Sequence, residues 1–139
     1  MSSAPNGDDA ADDAHRQRLE QFAKDIHGAA DGLRAAEEPR ELDMLLITLQ
    51  GARQELKPVS DKEPSTVTQR LSNLIGEAIV WVVDVKKRLR TLQRMERRHA
   101  SYAENLGPGM NELRGIILET AAMLDQISGA LLKLSRRRR

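Results

Sequence analysis

Apolar residues recur along most of this chain in steps of three and four, the spacing that keeps one face of an α-helix against a core. Leu19, Phe22, Ile26, Ala29 and Leu33 mark a first helix over about residues 13–35. Pro39 separates it from a second, about 40–57, whose seam is Leu42, Leu45, Leu49, Ala52, Leu56 and Val59. Pro58 and a polar segment at 60–64 close that helix.

The third stretch is the longest, about 65–105, with Thr66 and Gln69 placed for a capping box. Leu71, Ile75, Ala78, Val82, Val85, Leu89 and Leu92 form its heptad-like seam, and the line then shifts to Met95, Tyr102 and Leu106. Leu106-Gly107-Pro108-Gly109 reads as a turn. The last helix, about 110–134, carries Met110, Leu113, Ile117, Thr120, Leu124, Ile127, Leu131 and Leu134, with Thr120 its one polar intruder.

These patterns predict an all-α protein: an antiparallel helical bundle with one long helix, since short connections favour antiparallel neighbours. The third helix outruns its neighbours, so its seam is expected to find a second chain, giving a homodimer. Trp81 is expected to pack in the core or at that dimer interface. The expected organisation is an acidic, disordered leader over 1–12, a helical domain over 13–135 and a basic tail over 136–139.

Composition narrows the chemistry. Apolar residues make up 40% of the 139 residues but aromatics only 2%, so the core must be aliphatic. With no cysteine, disulfides, thiolate metal sites and cysteine nucleophiles are excluded. The longest apolar run, residues 78–83, is far shorter than the roughly 20 residues of a spanning helix, so no crossing of a membrane is expected. The start lacks a signal-peptide pattern, and a cytoplasmic or nuclear location fits best.

His15, His27 and His99 show no paired ligand spacing. Glu96 and His99 make a single Glu-x-x-His pair, but a di-iron bundle needs two such pairs and two more glutamates. No glycine-rich phosphate loop and no activated serine or threonine is evident. The expectation is therefore a non-enzymatic protein without cofactor or metal.

Charge supplies the one distinctive feature. The net charge is only +1, yet residues 1–63 hold 14 acids and 8 bases, and residues 64–139 hold 7 acids and 14 bases. Between 86 and 98 stand Lys86, Lys87, Arg88, Arg90, Arg94, Arg97 and Arg98 against a single acid, Glu96. Lys86, Arg90, Arg94 and Arg98 step by four and so form a ridge beside the apolar seam. Like charges at that spacing cost the helix a few tenths of a kcal/mol per pair, which points to an anionic partner. The chain ends on Arg136, Arg137, Arg138 and Arg139, more cations than a helix C-terminus needs.

The candidate nucleic-acid-binding residues are thus Lys86, Lys87, Arg90, Arg94, Arg97 and Arg98, with Arg136, Arg137, Arg138 and Arg139 assisting. Few aromatics are available to stack bases, which disfavours a single-strand reader. Contacts to phosphates alone carry no sequence information, so the expected ligand is double-stranded nucleic acid, RNA favoured, read by shape and charge. The layout is analogous in architecture to small viral RNA-silencing suppressors that bind double-stranded RNA as helical dimers; no family motif is present in the residues. The alternative is a helical adaptor or scaffold subunit, in which the bases meet an acidic protein. A third is a peripheral protein whose last helix and arginines touch anionic lipid.

Overall fold

The computed structural model describes residues 7–36, 38–62, 66–98 and 103–136, and within them the side chains of 13–36, 38–57, 67–95 and 109–136. Four helices pack together: α1 (Gly7–Arg34), α2 (Asp43–Lys62), α3 (Thr66–Arg98) and α4 (Ala103–Arg136). A 3₁₀ turn, Pro39–Leu42, leads into α2, and there is no strand among the described residues. Each helix packs against two others, in the cyclic order α1, α2, α3, α4, so α1 and α3 stand diagonally across the bundle, as do α2 and α4.

The core is the aliphatic one the composition requires. Leu42, Leu45, Leu49, Ala52 and Leu56 of the second seam are all buried, as are Leu71, Ile75, Ala78, Val82, Val85 and Leu89 of the third. Thr120 is fully buried too, and its hydroxyl donates to the Ile116 carbonyl at 2.7 Å, satisfying itself within the helix.

On α1 the buried face is Leu19, Ala23, Ile26, Ala30 and Leu33, while Phe22 and Ala29 are only half-buried. The rotation has a cause. α1 packs more extensively against α4 than against any other helix, and two small residues meet there, Ala23 and Ser128. The buried Ser128 hydroxyl donates to the Ala23 carbonyl at 2.6 Å, tying the two helices together. Replacing Ser128 by Leu should overpack this contact and cost about 1–3 kcal/mol, read as a lower Tm.

Three boundaries differ from expectation: α2 continues through Pro58 to Lys62 instead of closing there, and two helices start earlier. α1 starts at Gly7 rather than about 13, so Asp8, Asp9, Asp12 and Asp13 fall within it, where acids favour a helix start through the dipole. The 106–109 turn is absent: α4 runs through it from Ala103. Pro108 is the sixth residue of α4 and lacks the N–H that would pair with the carbonyl four residues back, a local loss that the helix carries. The third helix is consequently not singular in length. α3 has 33 residues and α4 has 34, against 28 for α1 and 20 for α2.

That correction removes the reason for expecting a second chain on the third seam, whose residues from Leu71 to Leu89 are buried within this one chain. Trp81 is half-buried and stands outside the buried core. Tyr102, His99 and the Glu96, Thr66, Val59 and Leu106 side chains lie outside the described residues. In α4, residues 109–136 are long and apolar enough to cross a membrane by length and composition, with a mean hydropathy of 1.3 over their most apolar 18-residue window. Uninterrupted apolar runs do not reveal this, because single polar residues break up the apolar character of α4. Leu113, Ile117, Leu124, Ile127 and Leu131 of that segment are core residues of the bundle.

Ion pairs stitch α1 to its neighbours. The Arg18 Nε and the His15 Nδ1 both reach Glu55 Oε1 of α2, each at 2.7 Å. Arg34 donates to Asp125 of α4 at 2.9 Å, and His27 Nδ1 lies 3.3 Å from the other Asp125 oxygen. Partial burial pushes the Glu55 carboxyl up, but the hydrogen bonds from Arg18 and His15 outweigh it and hold the carboxyl below its ordinary value. A depressed carboxylate contributes stability above its unfolded pKa and loses it as pH falls through the folded one. Wild-type protein should therefore lose Tm in acid more steeply than Glu55→Gln, measured by circular dichroism from about pH 7 to about pH 3. Parallel curves for the two proteins would refute this role for Glu55.

Candidate polyanion-binding face

The basic residues of α3 sit where its seam leaves them. With Val82, Val85 and Leu89 turned inward and buried, residues 86, 87, 90 and 94 fall on the flank and outer side of the helix. Lys87, Arg90 and Arg94 are exposed, and none makes an ion pair among the described residues. Thr91, between them, turns its hydroxyl back to the Lys87 carbonyl at 3.0 Å.

Two bases of the same run are already engaged. Lys86 is half-buried and paired with Asp43 at the start of α2. Arg88 donates to Asp84 at 2.9 Å and to Glu112 of α4 at 3.4 Å, and the Asp84 hydrogen bond first of all raises its pKa above the ordinary guanidinium value. Arg88 reaches toward α4, away from the ridge. Arg97 and Arg98 belong to the last turn of α3, and their side chains lie outside the described residues.

The fold adds cations that periodicity along one helix could not reveal. A groove of about 390 Å³ beside the ridge is lined by Lys86, Arg90 and Gln93 of α3 and by Glu38, Pro39, Arg40 and Asp43 across from them. Arg40 is exposed and pairs with Glu38 at 2.7 Å. Farther along the same α2–α3 junction the Arg53 guanidinium lies over Gly76, where an added Cβ would come within 3.2 Å of it. Glu38 and Asp43 temper the groove, so the strongest uncompensated charge is on the outer rail of Lys87, Arg90 and Arg94.

Arg136, the first residue of the basic tail, is elsewhere. Arg136 lines a groove with Val67 at the start of α3 and another with Asp13, Arg16, Gln17 and Glu20 of α1. Val67 and Arg90 are about 35 Å apart along α3 at 1.5 Å per residue. Arg136 thus does not join the ridge in one patch, and Arg137, Arg138 and Arg139 lie outside the described residues. No cluster of three or more histidines and acids able to hold a metal occurs among the described residues. The chain matches no known family model, no curated protein and no solved structure.

Proposed function

We propose that this chain is a non-enzymatic helical protein that binds double-stranded nucleic acid, RNA favoured, through the outer rail of α3 without reading sequence. The observation that carries the reading is Lys87, Arg90 and Arg94 standing exposed on one helix with no ion pair among the described residues, while neighbouring bases are neutralised. Three adjacent cations held on a rigid element can neutralise successive phosphates, and release of the duplex counterions drives such binding. Arg40 and Lys86 line the adjoining groove, where each is paired with an acid, so the rail itself carries the net charge offered to the duplex. Arg136 and the residues after it give a second, separate contact.

Several contacts support an antiparallel order of the helices. Arg18 of α1 meets Glu55 late in α2, Lys86 late in α3 meets Asp43 early in α2, and Arg88 meets Glu112 early in α4. Competition decides the ligand class. Labelled duplex RNA bound to the nuclease-treated protein should be displaced best by duplex RNA, less well by duplex DNA and least by single strands. Equal displacement by all three would remove the duplex from the proposal.

A second reading, an adaptor that assembles through protein contacts with itself or an acidic partner, has its own support. Met44 and Ile47 of α2 are 69% and 60% exposed and Val80 of α3 is 66% exposed, on two helices that pack side by side. Under that reading Ile47→Asp with Val80→Asp lowers the oligomeric state or abolishes partner binding without a loss of helicity. Unchanged sedimentation and unchanged RNA binding in that variant would favour the monomeric nucleic-acid binder.

A further inference from the structure

At the opposite end of the bundle from the rail, α3 and α4 leave a groove of about 360 Å³ between them. Val67, Ala130 and Leu134 give it an apolar lining, and Lys133 and Arg136 are its only charged lining residues among those described. Val67 is 47% exposed at the start of α3, and Lys133 and Arg136 are exposed without an ion pair among the described residues. The volume is within the ~300–1,000 Å³ of small-ligand sites, which are likewise mostly apolar with a few placed polar groups.

We infer that this groove binds a single-chain anionic amphiphile, a fatty carboxylate or its monoacyl phosphate equivalent, with the chain against Val67, Ala130 and Leu134 and the head on Lys133 and Arg136. Charge complementarity selects the head: two cations and no acid line the groove among the described residues, so a neutral or cationic head gains nothing there. Shape selects a single chain rather than a bilayer. A membrane surface is met by apolar side chains that project from a protein, whereas here they line a concavity. The two cations have long aliphatic stems that cover the chain while their heads stay at the rim. The site stands independently of the rail, which belongs to the far end of α3.

The test titrates dodecanoate, decanoate, acetate and dodecyltrimethylammonium, each below its micelle concentration, while following the methyl signals of Val67 and Ala130 by NMR. Saturable shifts are expected with the two long carboxylates, rising up to about fourfold in affinity for each added methylene. Acetate and the cationic surfactant should leave the signals unmoved. Lys133→Gln with Arg136→Gln should weaken dodecanoate about tenfold, the size of a lost charge-assisted contact. Ala130→Phe should fill the groove and remove binding while leaving duplex-RNA affinity intact, which separates this site from the rail. Should Ala130→Phe fail to fold, the double glutamine variant, changed only at exposed positions, carries the test alone. Equal binding of the cationic surfactant, or dodecanoate binding untouched by the glutamines, would overturn the inference. So would anionic vesicles that capture the protein while free dodecanoate leaves the methyl signals unmoved.

Discussion

Converting Lys87, Arg90 and Arg94 together to glutamate is expected to abolish duplex RNA binding, with a loss of at least about a thousandfold at low salt. The change replaces three positive charges by three negative ones on a single exposed rail, so attraction becomes repulsion at the point of closest approach to phosphate. The fold should survive. All three residues are exposed, none makes an ion pair among the described residues, and the buried side of α3 is untouched. The helical circular dichroism and the Tm should therefore stay near wild type, because exposed substitutions ordinarily change stability by about 0.5 kcal/mol or less. Glutamate at 87, 90 and 94 keeps a strong helix former at each position. By contrast Lys86→Glu is a poor probe, since it also sets a second carboxylate against Asp43 and disturbs the α2–α3 contact. A triple variant that binds duplex RNA as wild type does would remove the rail as the binding face.

The second large effect concerns the core. Leu124 is fully buried on α4, the helix that packs against both α1 and α3. Truncating it to alanine removes buried methyl groups and leaves a cavity, at a cost of about 2–5 kcal/mol. The site is poorly placed to collapse, because the α1–α4 contact is already held close by Ala23, Ser128 and their hydrogen bond. A fall in Tm by several degrees is expected, measured by calorimetry, with the rail chemistry unchanged in whatever fraction remains folded. A loss below about 1 kcal/mol would mean that Leu124 is not held in a close-packed interior.

Much of this bundle was legible from residue spacing, and the failures have specific causes. The seams of α2 and α3 are built from large aliphatic residues, so their period is unmistakable from Leu42 to Leu56 and from Leu71 to Leu89. The α1–α4 contact was not legible, since Ala23 and Ser128, which meet there, are small or polar and register weakly in any hydrophobic period. Phe22, the largest apolar residue of α1, points instead toward Gly51 of α2, whose added Cβ would meet its ring at 3.1 Å. The glycines and proline at 107–109 carry a turn signal, yet α4 runs through them as its fifth to seventh residues.

The candidate face divides along the same line. That Lys86, Arg90 and Arg94 share one side of a helix follows from a period of four and nothing more. That Asp43 neutralises Lys86, while Arg40 joins Arg90 across a groove, depends on how α2 docks against α3, which no pattern along the chain encodes. The tail and the ridge read as one basic second half in the sequence, yet Arg136 lines grooves with Val67 at the start of α3 and with α1, away from the ridge.

The most direct test of the proposed function is the salt dependence of duplex RNA binding, measured side by side for wild-type protein and the variant with glutamine at 87, 90 and 94. Wild type should bind at low salt and weaken linearly in the logarithm of salt concentration, by about 0.9 for each phosphate neutralised on a B-form duplex and comparably here. The glutamine variant should lose about three from that slope, one for each cation removed. An identical slope in the two proteins, or no wild-type binding at low salt, would contradict the account and leave the helical adaptor in its place.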